Sequence, residues 1–434
     1  MKKTFSIISL GCPRNLVDSE CIVSEFKKKG YMFQDDAPGS DTVIINTCAF
    51  IESAKTESID TILKAIDAKK EGSVKRIIVS GCLSKRYKRE LKREFKEIDE
   101  FRGVLDFSNT FKRDSMDSLT PRHYAYIKIS EGCRNSCTYC VIPRLKGPYK
   151  TRSIESIIKE AKTLHERGLK EIILVGQDTS LYGVDLYGSK KLSELLKGLD
   201  KIFSGGWIKI LYAHPLNLDR DTINAISESK NICRYIDLPL EHISDRILKR
   251  MGRKTKKKDL ISLIEYIRKT IPNAAIRTSF IVGFPGEKES DFKELLAFIK
   301  DARFERLGLF RYSKEEGTAA YKFKDHISEK EKENRFNEVM SLQENLSRDI
   351  NEKFKGRTLK VLIDEKEEDH YIGRTEYDAP EVDGSVYVKG RDLKEGCFYN
   401  VRIIDTYEYD LVGDVQGSKD QSNNSGARNY ESRK

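Results

Sequence analysis

The sequence has no long apolar run, and this absence limits where the protein can reside. No stretch of the 434 residues approaches the roughly 18 apolar residues of a membrane-spanning helix. The apolar run 5–10 in the N-terminal MKKTFSIISLGC is shorter than the roughly 7 to 15 residues of a signal-peptide core, although Gly11-Cys12 superficially resembles a lipoprotein site. We therefore expect a cytoplasmic protein without a membrane partner.

The sequence also lacks the cysteine pattern of a secreted protein. Its nine cysteines are an odd number scattered along the chain, which does not fit a disulfide framework and indicates a reducing compartment. Hydrophobic residues make up 38% of the chain, which is low but sufficient for folded cores. The length favours roughly three domains.

Three of the cysteines lie in one short loop. Residues 131–143, EGCRNSCTYCVIP, space Cys133, Cys137 and Cys140 as CxxxCxxC. Four cysteines normally fill an iron–sulfur cluster, so a loop that supplies three leaves one iron open to a small molecule. Zinc is disfavoured because no second CxxC pair or HxxxH partner lies nearby, and three cysteines cannot all pair as disulfides. The loop is therefore predicted to hold an iron–sulfur cluster.

The same spacing, with the aromatic Tyr139 directly before the last cysteine, resembles the radical S-adenosylmethionine (SAM) superfamily. In that superfamily the open iron is chelated by the amino and carboxylate groups of SAM.

A second set of three cysteines follows three predicted strands. Residues 4–110 alternate β-rich runs with helical patterns, which indicates an α/β unit with a parallel sheet. The predicted strands are 5–10, 42–45 and 76–80, and the predicted helices include 15–29 and 54–69. Because the carboxyl ends of parallel strands line one crevice, the cysteines that follow these strands are expected to meet there. These cysteines are Cys12, Cys48 and Cys82.

Free cysteines also pack as small hydrophobic residues, which is the alternative for this second set. We keep that interpretation for Cys21, Cys233 and Cys397, because each stands alone within a periodic segment.

From residue 124 the alternation continues with a longer period, which predicts an incomplete (β/α)6 TIM-like barrel. The predicted strands are 124–130, 171–177, 208–213, 235–240, 275–282 and 305–312. Polar residues follow these strands at the face that carries catalysis in such barrels. They include Gln177, Asp178, His214, Glu241, His242, the turn from Gly283 to Glu287, and Tyr312.

The C-terminal part changes to short strands separated by Gly, Asp and Pro. A charged helix is predicted over 328–353 as a linker, and the segments LKVLID, GRTEYD, SVYVKG and FYNVRIIDTY then predict a small antiparallel β-barrel. The last residues have almost no apolar side chains, which predicts a disordered tail. We expect domains at 1–118, 119–353 with the linker helix, and 354–416, followed by the tail 417–434.

With both cysteine sets placed, the chain resembles the methylthiotransferase family of the radical SAM superfamily over nearly all of 5–415. The segments SLGCPRNLVDSE and RTEYDAPEVDGSV resemble the branch that modifies a ribosomal protein, whereas the branch that modifies transfer RNA typically reads like FGCQMN at the first cysteine. One departure is Glu241, where the family's PLQH leads us to expect Gln. An ionised Glu cannot donate a hydrogen bond as Gln does.

The resemblance implies two 4Fe–4S clusters, held by Cys12, Cys48 and Cys82 and by the catalytic Cys133, Cys137 and Cys140. It implies that the second cluster reduces SAM to generate a radical that activates an aspartate β-carbon in small-subunit ribosomal protein twelve. The first cluster would then deliver the sulfur, which a second SAM methylates. An electron donor such as a flavodoxin or ferredoxin is implied as a partner. The expected SAM contacts are Tyr139, Gln177, Asp178, Arg277, Gly283 and Glu287.

The C-terminal domain lacks the basic excess of an RNA-binding module. Residues 355–414 contain nine Lys and Arg against fifteen Asp and Glu, a net charge of −6. Because RNA affinity comes largely from neutralising phosphates, this favours a basic protein as the substrate and disfavours transfer RNA. The basic runs 85–93 and 249–258 are either solvated surfaces or contacts to ribosomal RNA.

Three alternatives remain open at this point. They are a transfer-RNA adenosine methylthiotransferase, a radical SAM enzyme with one cluster, and a non-enzymatic iron–sulfur or zinc module.

Overall fold

A computed structural model of the chain describes residues 3–35, 39–109, 113 and 117–415, so the predicted tail 417–434 lies outside the described residues. The N-terminal part forms a parallel five-stranded sheet in the order β2-β1-β3-β4-β5. Its strands are β1 (Thr4–Ser9), β2 (Met32–Phe33), β3 (Thr42–Thr47), β4 (Arg76–Ser80) and β5 (Glu100–Phe101). Its helices are α1 (Pro13–Lys28), α2 (Glu52–Lys70), α3 (Gly81–Arg86) and α4 (Lys88–Glu94).

The middle strand of this sheet is buried along its length. Strand β3, TVIINT, is buried at every position, as expected for a strand of a parallel sheet that is covered on both faces. The two-residue edge strands β2 and β5 were not predicted, because two residues are too short to show a periodic pattern.

The middle part is an open half-barrel, which confirms the predicted incomplete (β/α)6 architecture. Two parallel three-stranded sheets, β6-β9-β10 and β11-β12-β13, follow each other in chain order. They meet where the Cys233 amide donates to the Ile208 carbonyl at 2.8 Å and the Ala213 amide to the Asp237 carbonyl at 3.0 Å. The strands, with the short hairpin β7-β8, are β6 (Tyr124–Lys128), β7 (Ser130–Glu131), β8 (Lys150–Thr151), β9 (Glu171–Val175), β10 (Trp207–Ile210), β11 (Tyr235–Asp237), β12 (Ala275–Val282) and β13 (Arg306–Arg311). The helices are α5 (Ile142–Lys146), α6 (Ile154–Glu166), α7 (Leu192–Ile202), α8 (Arg220–Glu228), α9 (Asp245–Arg250), α10 (Lys257–Thr270), α11 (Glu289–Ala302) and α12 (Glu329–Asn351).

The outer helices pack through narrow apolar faces. Helix α6 is capped at its N-terminus by Ser153, whose hydroxyl accepts the Ser156 amide, and it buries Ile157, Ala161 and Leu164 at spacings of four and three residues. These side chains join the half-barrel's main hydrophobic core.

Helix α12 corresponds to the predicted linker helix at 328–353. It buries Val339 and Leu346 in the core of the half-barrel. The helix is therefore the last packed layer of the half-barrel rather than a free connection.

The C-terminal part is a closed five-stranded barrel in the order β14-β15-β16-β18-β17. Its strands are β14 (Thr358–Lys366), β15 (Tyr371–Thr375), β16 (Val386–Lys389), β17 (Phe398–Thr406) and β18 (Leu411–Val415). Four strand pairs are antiparallel, and the pair β16-β18 is parallel. Strand β18, LVGDV, was not predicted because Gly413 interrupts its apolar pattern. A Cβ at this glycine would lie 2.4 Å from the Val401 side chain, so the close approach of β17 explains the glycine.

This small barrel covers the amino ends of the half-barrel strands. Arg374 pairs with Glu171 at 2.8 Å, Arg306 pairs with Asp378, and the ring of Trp207 lies 4.8 Å from that of Phe398. Glu171, Trp207 and Arg306 are the first residues of their strands. The carboxyl ends therefore remain for the functional site. Among the described residues, no helix is both long and apolar enough to cross a membrane.

Candidate active site

The cysteines of the N-terminal domain lie together at one edge of its sheet. Strands β1, β3 and β4 are neighbours, and a cysteine follows the carboxyl end of each. Cys12 precedes α1, Cys48 directly follows β3, and Cys82 is the second residue of α3. The order of the strands therefore brings these three residues to one edge.

Two glycines allow the cysteine-bearing turns to approach each other. Gly11 has φ +89°, and a Cβ there would lie 2.9 Å from the Cys48 sulfur. Gly81 has φ +91°, and its Cβ would lie 2.5 Å from both the Asn46 side-chain oxygen and the Thr47 carbonyl. Both residues use the left-handed region that side chains disfavour, and both leave no space for a methyl group.

Basic side chains surround this first cysteine set. Burial alone would raise the pKa of Cys12, but the nearby Arg14 and Lys146 lower it below its ordinary value, and Arg14 Nε donates to its sulfur at 3.4 Å. Burial raises the pKa of Cys82 to about 12, although Lys146 opposes this, and burial together with Cys12 raises the pKa of Cys48. The cations would stabilise thiolates, which are the form that binds metal.

The second cysteine set lies in the loop between β7 and α5, after the first strand of the half-barrel. Burial raises the pKa of Cys133, and it raises that of Cys140 to about 12 with a contribution from Cys137. The three side chains are partly exposed. The prediction that this loop opens from the first barrel strand is consistent with its position.

A carboxylate holds this loop in place. Asp178 accepts hydrogen bonds from Asn135 at 2.9 Å, Asn217 at 2.8 Å and Ser180 at 2.5 Å. Asn135 in turn points its backbone amide and side-chain amide at the Cys133 sulfur, at 3.4 and 3.5 Å. Asp178 therefore orients a group that touches a predicted cluster ligand, and both of its oxygens are engaged within the chain.

A buried network of charges connects the two cysteine sets. Lys128 contacts Asp18 and lies 2.8 Å from Glu131, while Lys146 lies 2.8 Å from Asp18 and 3.8 Å from Glu131. Asp18 lies on α1, the helix that directly follows Cys12. Glu131 precedes Cys133 by two residues. All four side chains are at most 6% exposed. Two acidic and two basic groups thus form a neutral bridge between the domains.

Some predicted SAM contacts lie beside this network. Gln177 donates to Glu131, and its own side-chain oxygen has no partner among the described residues. The Tyr139 ring stands edge-on to Phe284 at 6.3 Å. Near it, burial raises the pKa of Glu241 against the opposing charge of Arg253.

Other predicted contacts are engaged within the fold. Arg277 pairs with Asp237 at 3.0 Å and with Asp383 of the C-terminal barrel at 3.3 Å. The carboxylate of Glu287 accepts the backbone amides of Gly283 and Phe284 and therefore closes its own turn.

The sequence did not single out Arg14, Asp18, Lys128 or Lys146 as site residues. The partners of Lys128 and Lys146 include Asp18, which is more than a hundred residues away, so no spacing pattern marks the network. Arg253 was also missed, although it lies within the noted basic run 249–258.

The donor sets are suited to iron–sulfur clusters. The described residues contain no group of three His, Cys, Asp or Glu side chains close enough to hold a single metal ion. In a cluster each thiolate binds a different iron, so its thiolates stand further apart than the ligands of one ion. Two sets of three cysteines, one of them flanked by Arg14 and Lys146, have the chemistry that such clusters require.

The acidity of the C-terminal barrel is partly used in contacts with the half-barrel. Six of the fifteen acidic residues between 355 and 414 contact it directly or through a shared ion-pair network, namely Asp364, Glu376, Asp378, Glu381, Asp383 and Glu408. Two of the nine basic residues, Lys360 and Arg374, do the same. The nine remaining acidic and seven remaining basic residues leave a net charge of −2 on the outward surface.

Comparisons with known proteins agree with this architecture. Residues 4–103 match Uncharacterized protein family UPF0004, residues 127–299 match the Radical SAM superfamily, and residues 356–415 match the TRAM domain. A solved structure of the radical S-adenosylmethionine methyltransferase TsrM from Kitasatospora setae has a TM-score of 0.51 and 12% identity, covering 72% of this chain and 75% of that chain. That likeness concerns the fold alone.

Much closer relatives cover nearly the whole chain. The ribosomal protein uS12 methylthiotransferase RimO of Clostridioides difficile is 46% identical over 94% of this chain and 97% of its own length. The proteins of the same name from Chlorobaculum tepidum and Cytophaga hutchinsonii are 44% and 43% identical, over 96% and 95% of this chain and 98% of each relative. The chain therefore belongs to the RimO family of radical SAM methylthiotransferases.

Proposed function

We propose that this enzyme transfers a methylthio group to the β-carbon of an aspartate in small-subunit ribosomal protein twelve. Its relatives at 41–46% identity are named as methylthiotransferases of this ribosomal protein, uS12. The single observation that carries the proposal is the buried network of Asp18, Lys128, Glu131 and Lys146, which joins the two cysteine sets in one region. Two neighbouring sets are what a reaction with separate radical and sulfur-transfer steps requires.

We infer that each set holds one 4Fe–4S cluster. Cys12, Cys48 and Cys82 would hold one cluster, and Cys133, Cys137 and Cys140 the other. When bound, the clusters and SAM supply one-electron chemistry at an unactivated carbon and the sulfur to be transferred. The residues of the chain hold these groups, orient them and keep water away from them.

The predicted SAM contacts remain part of this proposal, with different support for each residue. Gln177 and Tyr139 have the strongest support, because they lie next to the second cysteine set and the Gln177 oxygen is free to accept a hydrogen bond. Asp178 supports the loop through Asn135. Arg277, Gly283 and Glu287 stay predictions, and each also has the structural contact described above.

Protein rather than RNA is the proposed substrate. The outward surface of the C-terminal barrel, with its net charge of −2, lacks the basic excess that phosphate binding requires. The outward charge is smaller than the total of −6, because part of the acidity is used in contacts between the domains. The relatives' names and the RTEYDAPEVDGSV segment supply the additional support.

The domain boundaries are proposed at 1–118, 119–353 and 354–416. Helix α12 belongs with the half-barrel, because its buried face packs there.

Mass spectrometry of cells with and without the gene tests the function. We expect ribosomal protein twelve to lose one methylthio group in the deletion strain and to regain it when the wild-type gene is restored. Restoration with Cys137→Ala should fail. Loss of a methylthio group from transfer RNA with unchanged ribosomal protein would contradict the proposal and favour the transfer-RNA enzyme.

A further inference from the structure

A strongly basic segment packs against the second cysteine loop. Residues 249–258, KRMGRKTKKK, contain seven basic residues and no acidic one. The segment runs from the end of α9 to the start of α10. We call it the basic segment.

Direct contacts fix the basic segment on the cysteine loop. The amide and hydroxyl of Thr138 donate to the carbonyls of Met251 and Arg250, each at 2.8 Å. Gly252 has φ +73°, and a Cβ there would lie 2.6 Å from the Ser136 carbonyl. The contact between the two segments is therefore too close for any side chain at this position.

The basic segment also reaches a predicted cluster ligand. Arg253 is buried and lies beside Cys137, its guanidinium donates to the Pro239 carbonyl, and its Nε has no hydrogen-bond partner among the described residues. A cavity of about 190 Å³ opens at this contact, between the cysteine loop, the basic segment and the loops that follow β9 and β10. Its lining includes Arg134, Cys137, Leu216, Arg253 and Lys254.

The cysteine loop and the basic segment carry exposed positive charge. Arg134 and Lys254 are exposed in the lining of the cavity, and Lys249 and Lys258 are exposed elsewhere on the basic segment. None of them forms an ion pair within the described part of the chain, whereas many other basic residues do. Leu216 adds an exposed apolar side chain, 44% accessible, at the rim of the cavity. An apolar spot within a basic surface suits a small, transient contact with an acidic protein.

We propose that this surface docks the acidic one-electron donor protein, of the flavodoxin or ferredoxin type, that reduces the cluster on Cys133, Cys137 and Cys140. The proposal rests on the proposed function, because a radical SAM enzyme needs one electron for each radical that it generates. One electron leaves the reduced donor and enters the cluster, and no bond forms or breaks. Electron transfer slows steeply with distance, so the donor must dock beside a ligand of the cluster, and Cys137 is in contact with this surface.

RNA is the other polyanion that a basic surface can bind. Single-stranded RNA is usually held by stacking on aromatic side chains, and the basic segment contains none. Contact with a cluster ligand is also something that an electron donor requires and RNA does not. The second basic run, residues 85–93, lies on α3 and α4 and supplies a matched control surface.

Stopped-flow reduction of the cluster-loaded enzyme by a reduced, acidic flavodoxin tests the proposal. The test variant carries Lys249→Glu, Lys254→Glu and Lys258→Glu, and the control carries Lys88→Glu, Arg89→Glu and Lys92→Glu, which changes the net charge equally. We expect the second-order rate constant at low salt to fall at least about tenfold in the test variant and less than about twofold in the control. The wild-type rate should fall with rising salt, and the test variant should lose most of that dependence.

Dithionite separates docking from damage to the cluster. Both variants should be reduced by dithionite, and should cleave SAM with it, as fast as the wild type. A test set with Lys→Gln at the same three positions should show a smaller decrease with flavodoxin. Equal slowing in the test and control variants, or no slowing in either, would overturn the docking proposal. So would normal flavodoxin reduction combined with reduced modification of ribosomes, because that result assigns the surface to RNA. A wild-type enzyme that is reduced by flavodoxin but never cleaves SAM would instead contradict the proposed function.

Discussion

Removing one carboxylate from the buried network between the cysteine sets should destabilise the enzyme strongly. In Asp18→Asn, Lys128 and Lys146 keep only Glu131 as a charged partner, so the network changes from neutral to a net charge of +1. Lys128 and Asp18 are 0% and 4% exposed, so water cannot compensate the unpaired charge. Breaking a buried ion pair typically costs about 3–5 kcal/mol, and we expect a loss of that size in the free energy of unfolding.

Urea denaturation measures this loss. Trp207, the only tryptophan, is buried at the contact with Phe398 and reports on the half-barrel that contains Lys128 and Glu131. The matched control is Glu166→Gln, which removes an exposed i,i+4 pair with Lys162 whose side chains are 64% and 62% exposed. This control should cost less than about 0.5 kcal/mol.

A double variant tests whether the charge imbalance is the cause. Asp18→Asn combined with Lys146→Met removes one charge of each sign and leaves the neutral Lys128–Glu131 pair. It should be more stable than Asp18→Asn alone by roughly 1–3 kcal/mol, although it carries one more substitution. A cost below about 1 kcal/mol for the single variant, or a double variant that is less stable still, would refute the reasoning.

Two further predictions concern the turn before Cys82 and the contact between the barrels. Gly81→Ala should lower the free energy of unfolding by more than about 2 kcal/mol and lower the iron content, because the added Cβ would lie 2.5 Å from two oxygens. The control Gly72→Ala has a similar φ of +83° but nothing within 4 Å of the added Cβ, so it should cost about 1 kcal/mol and leave the iron content unchanged. Equal losses of stability in the two variants would contradict this prediction. Burial alone would raise the pKa of Asp364, but its hydrogen bond with His123 and the charge of Arg374 hold that pKa below its ordinary value. The ionised Asp364 therefore stabilises the fold above its unfolded pKa of about 3.9, and this stabilisation is lost as the pH falls through the lower pKa of the folded state. Asp364→Asn should consequently lose less stability in acid than the wild type, which urea midpoints measured against pH will show. An identical acid profile in the variant would contradict this assignment.

The sequence allowed the architecture and the cysteine positions to be predicted, because both depend on local patterns. Strand periodicity placed Cys12, Cys48 and Cys82 after neighbouring strands, and the spacing of the loop identified the other set. The pairing of Lys128 with Asp18 could not be predicted, since it depends on how two domains pack and not on any periodicity.

The charge of the C-terminal barrel shows the same limit. A count of charged residues cannot reveal that Asp378 and Asp383 pair with Arg306 and Arg277 of the half-barrel, so it overstates the acidity that a substrate meets. Likewise, the strand pattern predicted that Asp178 lies at the catalytic face of the half-barrel. Its hydrogen bond to Asn135 became visible only in the structure.

Iron and sulfide content per chain after anaerobic reconstitution tests the central claim most directly. The account predicts about eight irons in the wild type and about four in both Cys48→Ala and Cys137→Ala, because each variant removes a ligand of one 4Fe–4S cluster. The control Cys21→Ala, at a buried cysteine of α1, should retain about eight. If Cys48→Ala binds as much iron as the wild type, the N-terminal cysteines do not hold a cluster and the two-site account is wrong.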